Sequence, residues 1–269
     1  MKALLPALAV SALLAGAVSA KAQDAPPPQE DWVLTSIPER KATLAIAEFT
    51  SGITLAARCM DGDYDLFIAG LPPMTAPSTT RTLGLSVGEE EGKPTVWSAG
   101  ENGETAFSRM PALVARRLAK GGALQITASG PDNRRYRYVM DINPSSTAIA
   151  QTLQACGRPL ADPRDSHTEG AGQDGLPPPF AWVRQPRPDF PMQALNAGEG
   201  YATLTCVPQP DGRISDCQIE GEWPRRLGIG RAALRSIDRA RMRRITPEEG
   251  PAPPFEYRVV AFTITFKVN

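Results

Sequence analysis

The stretch TCVPQPDGRISDC, Thr205 to Cys217, constrains this chain more than any other, because two of its four cysteines flank Asp211-Gly212. Asp-Gly favours a two-residue hairpin turn in which both central residues take positive φ. The flanking runs YATLTCV (Tyr201 to Val207) and RISDCQIE (Arg213 to Glu220) alternate as strands do. Counting outward from the turn sets Cys206 opposite Cys217 and Leu204 opposite Ile219, placing all four on one sheet face. A one-residue slip would turn that set to water, so the cysteines and the apolar pattern support the same register and a disulfide across the hairpin. The count leaves Pro208 and Pro210 at hydrogen-bonded positions without an N–H to give, which calls for a longer loop or a bulge near the turn.

Downstream, GIGRAALRSIDRARMRRI places Ala233, Leu234, Ile237, Ala240 and Arg241 at three- and four-residue steps, which predicts an amphipathic helix lying over the sheet. The closing EYRVVAFTITFKVN alternates over its length and predicts a half-buried strand. With the helix returning the chain, this strand pairs antiparallel with the first strand of the hairpin. The order is second, first, last, and the last strand is an edge.

These residues resemble the C-terminal domain of the TonB family over about Arg187 to Asn269. The resemblance rests on PDFPMQAL, the Gly-Tyr-Ala strand start, PDGRISD at the turn, AAL in the helix, RMRRITP leading to Pro247, and the closing ITFKV. It implies a small β-β-α-β periplasmic domain that pairs its last strand with a short peptide of an outer-membrane transporter. By that resemblance the partner-binding residues are Arg258, Val259, Val260, Ala261, Phe262, Thr263, Ile264 and Thr265, with Arg187 of the preceding segment nearby. Pairing of this kind is β-augmentation, and a homodimer through the same edge is its rival. Family members commonly carry Gln where Arg187 precedes Pro188 here.

Upstream, ATLAIAEF (Ala42 to Phe49), ITLAARCM (Ile53 to Met60), YDLFIAGL (Tyr64 to Leu71), ALQITASG (Ala123 to Gly130) and RYRYVMDI (Arg135 to Ile142) read as strands. Helices are expected in PALVARRLAK from Pro111 and in PSSTAIAQTLQACG from Pro144, closed by Gly157. The second helix places Ala148, Ile149, Leu153 and Cys156 near one face, so Cys156 points back into the strands and Cys59 is its natural partner. Between the two blocks, ADPRDSHTEGAGQDGLPPP is dense in Gly, Pro and charge and reads as a linker.

The expected fold class is therefore α+β: a signal peptide (1–22), a β-rich periplasmic domain with a C-terminal helix (23–160), a linker (161–179) and a TonB-like three-stranded antiparallel domain (180–269). The first residues combine Lys2, a short apolar run and small-residue cleavage sites, which fits a secretory leader better than a membrane anchor. A chain exported this way meets an oxidising compartment, where four cysteines form two disulfides. Without an anchor and a long Pro-rich spacer, the TonB-like fold is expected without the energy-transducing job. Transduction by an uncleaved anchored chain is the alternative.

Little catalytic chemistry is legible. The single histidine, His167, lies in the linker, which argues against Ser-His-Asp and Cys-His sites, and no C-x-x-C spacing suggests a metal. No metal or cofactor is expected. Asp61 and Asp63 are the candidate acid–base pair of a carboxylate-dependent enzyme, and Glu89, Glu90 and Glu91 read as a solvated loop. Arg225, Arg226, Arg231, Arg235, Arg239, Arg241, Arg243 and Arg244 face a single acid, Asp238, within their run, which favours an anionic envelope component. Nucleic acid is disfavoured by compartment and by the lack of a binding motif. The expectation is a non-catalytic binding protein contacting an envelope protein or peptide, an outer-membrane transporter included.

Overall fold

A computed structural model describes residues 32–74, 78–88, 92–131, 134–145, 147–170, 175–245 and 258–268. The expected signal peptide (1–22), Glu89 to Glu91 and Pro247 lie outside the described residues.

The first block is a nine-stranded antiparallel sheet in the order β1-β2-β3-β4-β7-β6-β5-β8-β9. Its strands are β1 (Val33–Ile37), β2 (Ala42–Glu48), β3 (Thr54–Met60), β4 (Asp63–Ala69), β5 (Thr80–Val87), β6 (Lys93–Ala99), β7 (Ala106–Phe107), β8 (Gly122–Ser129) and β9 (Arg135–Ile142). All five strands expected from sequence are present; β1, β5, β6 and β7 add to them. β3 and β4 form a hairpin in which Met60 faces Asp63, so Asp61 and Gly62 alone make the turn, both at positive φ (53° and 89°). This is the conformation that selects Asp-Gly.

Two helices cover the sheet. In α1 (Pro111–Leu118) every residue but Arg117 is buried, and the helix packs on β4 and also touches the C-terminal block. Helix α2 (Ala148–Ala155) buries Ala148, Ile149, Thr152 and Leu153 against β2 and β3. Just past its end, Cys156 reaches back to Cys59 with an S–S distance of 2.04 Å.

The C-terminal block has β11 (Phe180–Arg184), β12 (Glu199–Pro208), β13 (Ile214–Trp223), α3 (Ile229–Ile237), β14 (Arg241–Arg244) and β15 (Val259–Lys267). Strands β13, β12 and β15 lie in the expected order, with Leu204 opposite Ile219 and the Cys206–Cys217 disulfide bridging the hairpin. One face of β12 and β15, with Ala202, Leu204, Cys206, Val260, Phe262, Ile264 and Phe266, shares a core with the buried side of α3.

Three expectations are corrected. The hairpin connection is longer than two residues: Pro208 pairs with Ile214, and only Gly212 of the Asp-Gly pair has positive φ. The register steps at Asp216–Cys217, where Asp216 takes φ 47°, next to the proline-containing connection, and again at Glu220. Helix α3 ends at Ile237, and the RMRR that continued its pattern is β14, paired with β11, because Met242 gains burial against Phe180 and Trp182 as a strand residue. The main sheet has four strands rather than three. A short β10 (Thr168–Glu169) pairs parallel with Val259 and Val260 on the outer side of β15.

Candidate functional site

β10 arises from the segment expected to be a linker, and a chain of charged contacts holds it. Arg116 of the buried α1 grips Asp165 in a two-bond fork, Nε to Oδ2 at 2.5 Å and Nη2 to Oδ1 at 2.7 Å. Arg164, itself 8% exposed, donates to the Thr205 carbonyl at 3.0 Å and to Asp216 Oδ2 at 2.8 Å. The bulge at Asp216 brings that carboxylate to the sheet's back face, while the other bulge brings Glu220 to Thr205 Oγ1 at 2.6 Å. Gly170, at φ 78°, lies where a side chain would stand 2.7 Å from the Ala261 carbonyl, so glycine permits the backbone approach.

The candidate edge is consequently divided. Val259 and Val260 are fully buried under β10, and Ala261 is built into the N-terminal core. From Phe262 to Lys267 no strand pairs with the outer side of β15 among the described residues. Phe262 and Ile264 turn to the core, Thr263 is half-buried against Thr203 (3.0 Å between hydroxyls), and Thr265 is exposed. Arg258 stands just before the strand, half-buried. Arg187 is exposed and lines a groove of about 450 Å³ with Trp182, Val183, Arg184 and Gln185. Trp182 stacks edge-on against Phe262 at 5.2 Å, which connects this groove to β15.

The arginine run separates into two sets. Arg225 and Arg226, on the loop after β13, cross to the β3–β4 hairpin. Arg225 pairs with Asp65, which is 2% exposed and also takes Arg58 Nη2 at 2.7 Å. Burial pushes the Arg225 and Arg58 guanidinium pKa values down. Arg226 clasps the Asp-Gly turn, pairing with Asp61 and donating to Asp63 Oδ2 at 2.7 Å and to the Met60 carbonyl. Lys41 and Arg226 hold the Asp61 carboxyl below its usual range. Asp61 and Asp63 are thus ion-pair partners of an arginine from the C-terminal block.

Of the remaining members, Arg231 reaches the lining of a cleft at the junction and the others do not. Arg231 and Arg235 are on the outer side of α3, Arg239 is in the turn that follows, and Arg243 and Arg244 are on β14, with Arg243 exposed. Beside the junction a cleft of about 390 Å³ is lined by Tyr201, Arg158, Glu220, Ser108, Asp65 and Arg225. Tyr201 sits under the Arg109 guanidinium at 4.8 Å, and burial raises its phenol pKa, so it stays neutral. Gly221 lets β13 approach α1, since a Cβ there would meet the Arg109 carbonyl at 3.0 Å.

Sequence reasoning missed Arg164, Asp65, Asp216 and Glu220. Only Asp65 had a signal: with Asp61 and Asp63 it repeats every second residue into a strand, which sets Asp63 and Asp65 on one face. His167 is exposed in a 3-10 turn. Among the described residues no group of His, Cys, Asp and Glu side chains is placed to hold a metal ion, and no helix is long and apolar enough to cross a membrane.

No family model matches the chain, and no curated protein matches it. Among solved structures it is similar to a solution NMR structure of the Pseudomonas aeruginosa TonB C-terminal domain, at 20% identity over 35% of this chain and 88% of that one, with a TM-score of 0.25.

Proposed function

We propose that this chain is a non-catalytic binding protein of the bacterial periplasm that takes an extended peptide along the outer side of β15. The observation that carries this reading is the half-covered edge: β10 pairs with Val259 and Val260, while among the described residues no strand pairs with the outer side of Phe262–Lys267. An extended partner adds one hydrogen-bonded strand there, and Thr263 and Thr265 meet its side chains.

Two disulfides and a leader-like N-terminus support a periplasmic setting. The nine-stranded block is joined to the C-terminal block through the ion pairs of Asp61, Asp63 and Asp65. A peptide from the periplasmic end of an outer-membrane transporter is the partner the resemblance suggests, and a second copy of the chain is the competing occupant. Isothermal titration with such peptides, run beside sedimentation of the protein alone, distinguishes them. Peptide binding to a monomer supports the reading; a dimer that excludes peptide replaces it with self-association.

A further inference from the structure

β11 and β14 form a two-stranded ribbon separate from both larger sheets. Its inner side, with Phe180, Trp182 and Met242, belongs to the C-terminal core. By strand alternation its outer side carries Arg241, Arg243 and then Ile245, with Ala181 opposite Arg243. A bulge between Trp182 and Arg184 adds Val183 to this surface, where it is 63% exposed. Ile245, at the other end of the ribbon, is 49% exposed.

Arg184, opposite Arg241, and Arg235 and Arg239, at the corner between α3 and β14, are exposed and extend the basic surface. Among the described residues none of Arg184, Arg235, Arg239 and Arg243 has a carboxylate in salt-bridge reach, in contrast to Arg225 and Arg226 at the junction. The carbonyls of Asp238 and Ala240 take the Arg241 guanidinium.

Ion pairing with a soluble acidic partner would need only the arginines. The ribbon also projects an aliphatic side chain at each end of the guanidinium strip, a combination that fits a lipid–water boundary. There phosphates lie level with arginines, and Val and Ile tips reach slightly deeper. We propose that the outer face of the β11–β14 ribbon docks on the surface of a bilayer containing anionic phospholipid. This site does not depend on strand addition at β15.

The test is flotation of the full chain with vesicles of phosphatidylglycerol and phosphatidylcholine, against phosphatidylcholine alone. Binding is expected only to the anionic vesicles, weakening as salt rises. Arg239→Gln with Arg243→Gln should reduce partitioning by about twenty-five-fold, at about five-fold for each arginine near the surface. Val183→Ser should reduce it several-fold at unchanged charge, and Arg137→Gln, on β9 of the other block, should leave it unaltered. Equal binding to both vesicle types overturns the proposal, as does wild-type binding by the double variant. So does binding to soluble polyglutamate without binding to vesicles, which would assign the patch to an acidic protein. Each of these variants changes an exposed side chain, and circular dichroism is the check that it folds.

Discussion

Arg164 Nη2 donates to the main-chain carbonyl of Thr205 at 3.0 Å, so a residue of the Gly- and Pro-rich connecting segment is built into the back of the C-terminal sheet. The same guanidinium reaches Thr205 Oγ1 and Asp216, and the residues that follow it form β10. Arg164→Ala removes charge-assisted bonds to a buried backbone and should lower stability by about 2 to 3 kcal/mol, read from the urea midpoint. Releasing β10 also lengthens the open edge, so the variant should bind an extended peptide more tightly than wild type. Weaker peptide binding would mean that β10 helps form the site.

Asp65 is the buried centre of the junction, with Arg58 on its own sheet and Arg225 from the other block. Asp65→Ala leaves two guanidinium groups facing each other without their anion, and should cost about 3 to 5 kcal/mol in urea unfolding. Arg226→Ala acts on exposed partners and should cost much less.

The two disulfides close loops of very different length, with sequence separations of 97 and 11. Chain entropy assigns about 4.7 kcal/mol to the long loop and about 2.8 kcal/mol to the short one. Cys59→Ser with Cys156→Ser should therefore lower the unfolding midpoint further than Cys206→Ser with Cys217→Ser, and the ranking is checked by urea titration of both double variants.

Tyr64 gives the chain an alkaline limit. Burial raises its phenol from 10.0 to about 12, while its hydroxyl contacts Thr152 of α2 at 3.1 Å. The folded chain thus holds this proton more tightly than the unfolded chain does. Its stabilising effect is complete below pH 10 and falls away as pH rises towards 12. Tyr64→Phe should flatten that part of the stability profile and lower the plateau at neutral pH by about 1 kcal/mol.

Elements whose partners are near in sequence, or marked by period, were legible from the residues alone. The Cys206–Cys217 and Leu204–Ile219 pairings followed from counting around a turn, and β15 followed from its alternation. The same count leaves Pro208 and Pro210 without a donor and so calls for a longer loop or a bulge, and the structure has both: a connection closed by Pro208 and Ile214, and a register step at Asp216. RMRR continues a three-and-four spacing and so reads as helix from the residues alone, and only its pairing with Phe180–Arg184 makes it β14. The placing of β10 was beyond reach. Arg164 and Asp165 are charged residues in a Gly-rich stretch, and their burial depends on Thr205 and Arg116, some forty to fifty positions away. The division of the arginine run likewise depends on long-range contacts to Asp61, Asp63 and Asp65.

The most direct test of the central claim is amide hydrogen exchange across β15, with and without an extended peptide from the periplasmic end of an outer-membrane transporter. Added peptide should slow exchange within Phe262–Lys267 and leave Val259 and Val260, already paired with β10, unchanged. Saturating peptide that leaves Phe262–Lys267 exchanging as before, while protecting a strand of the nine-stranded sheet, would contradict the account.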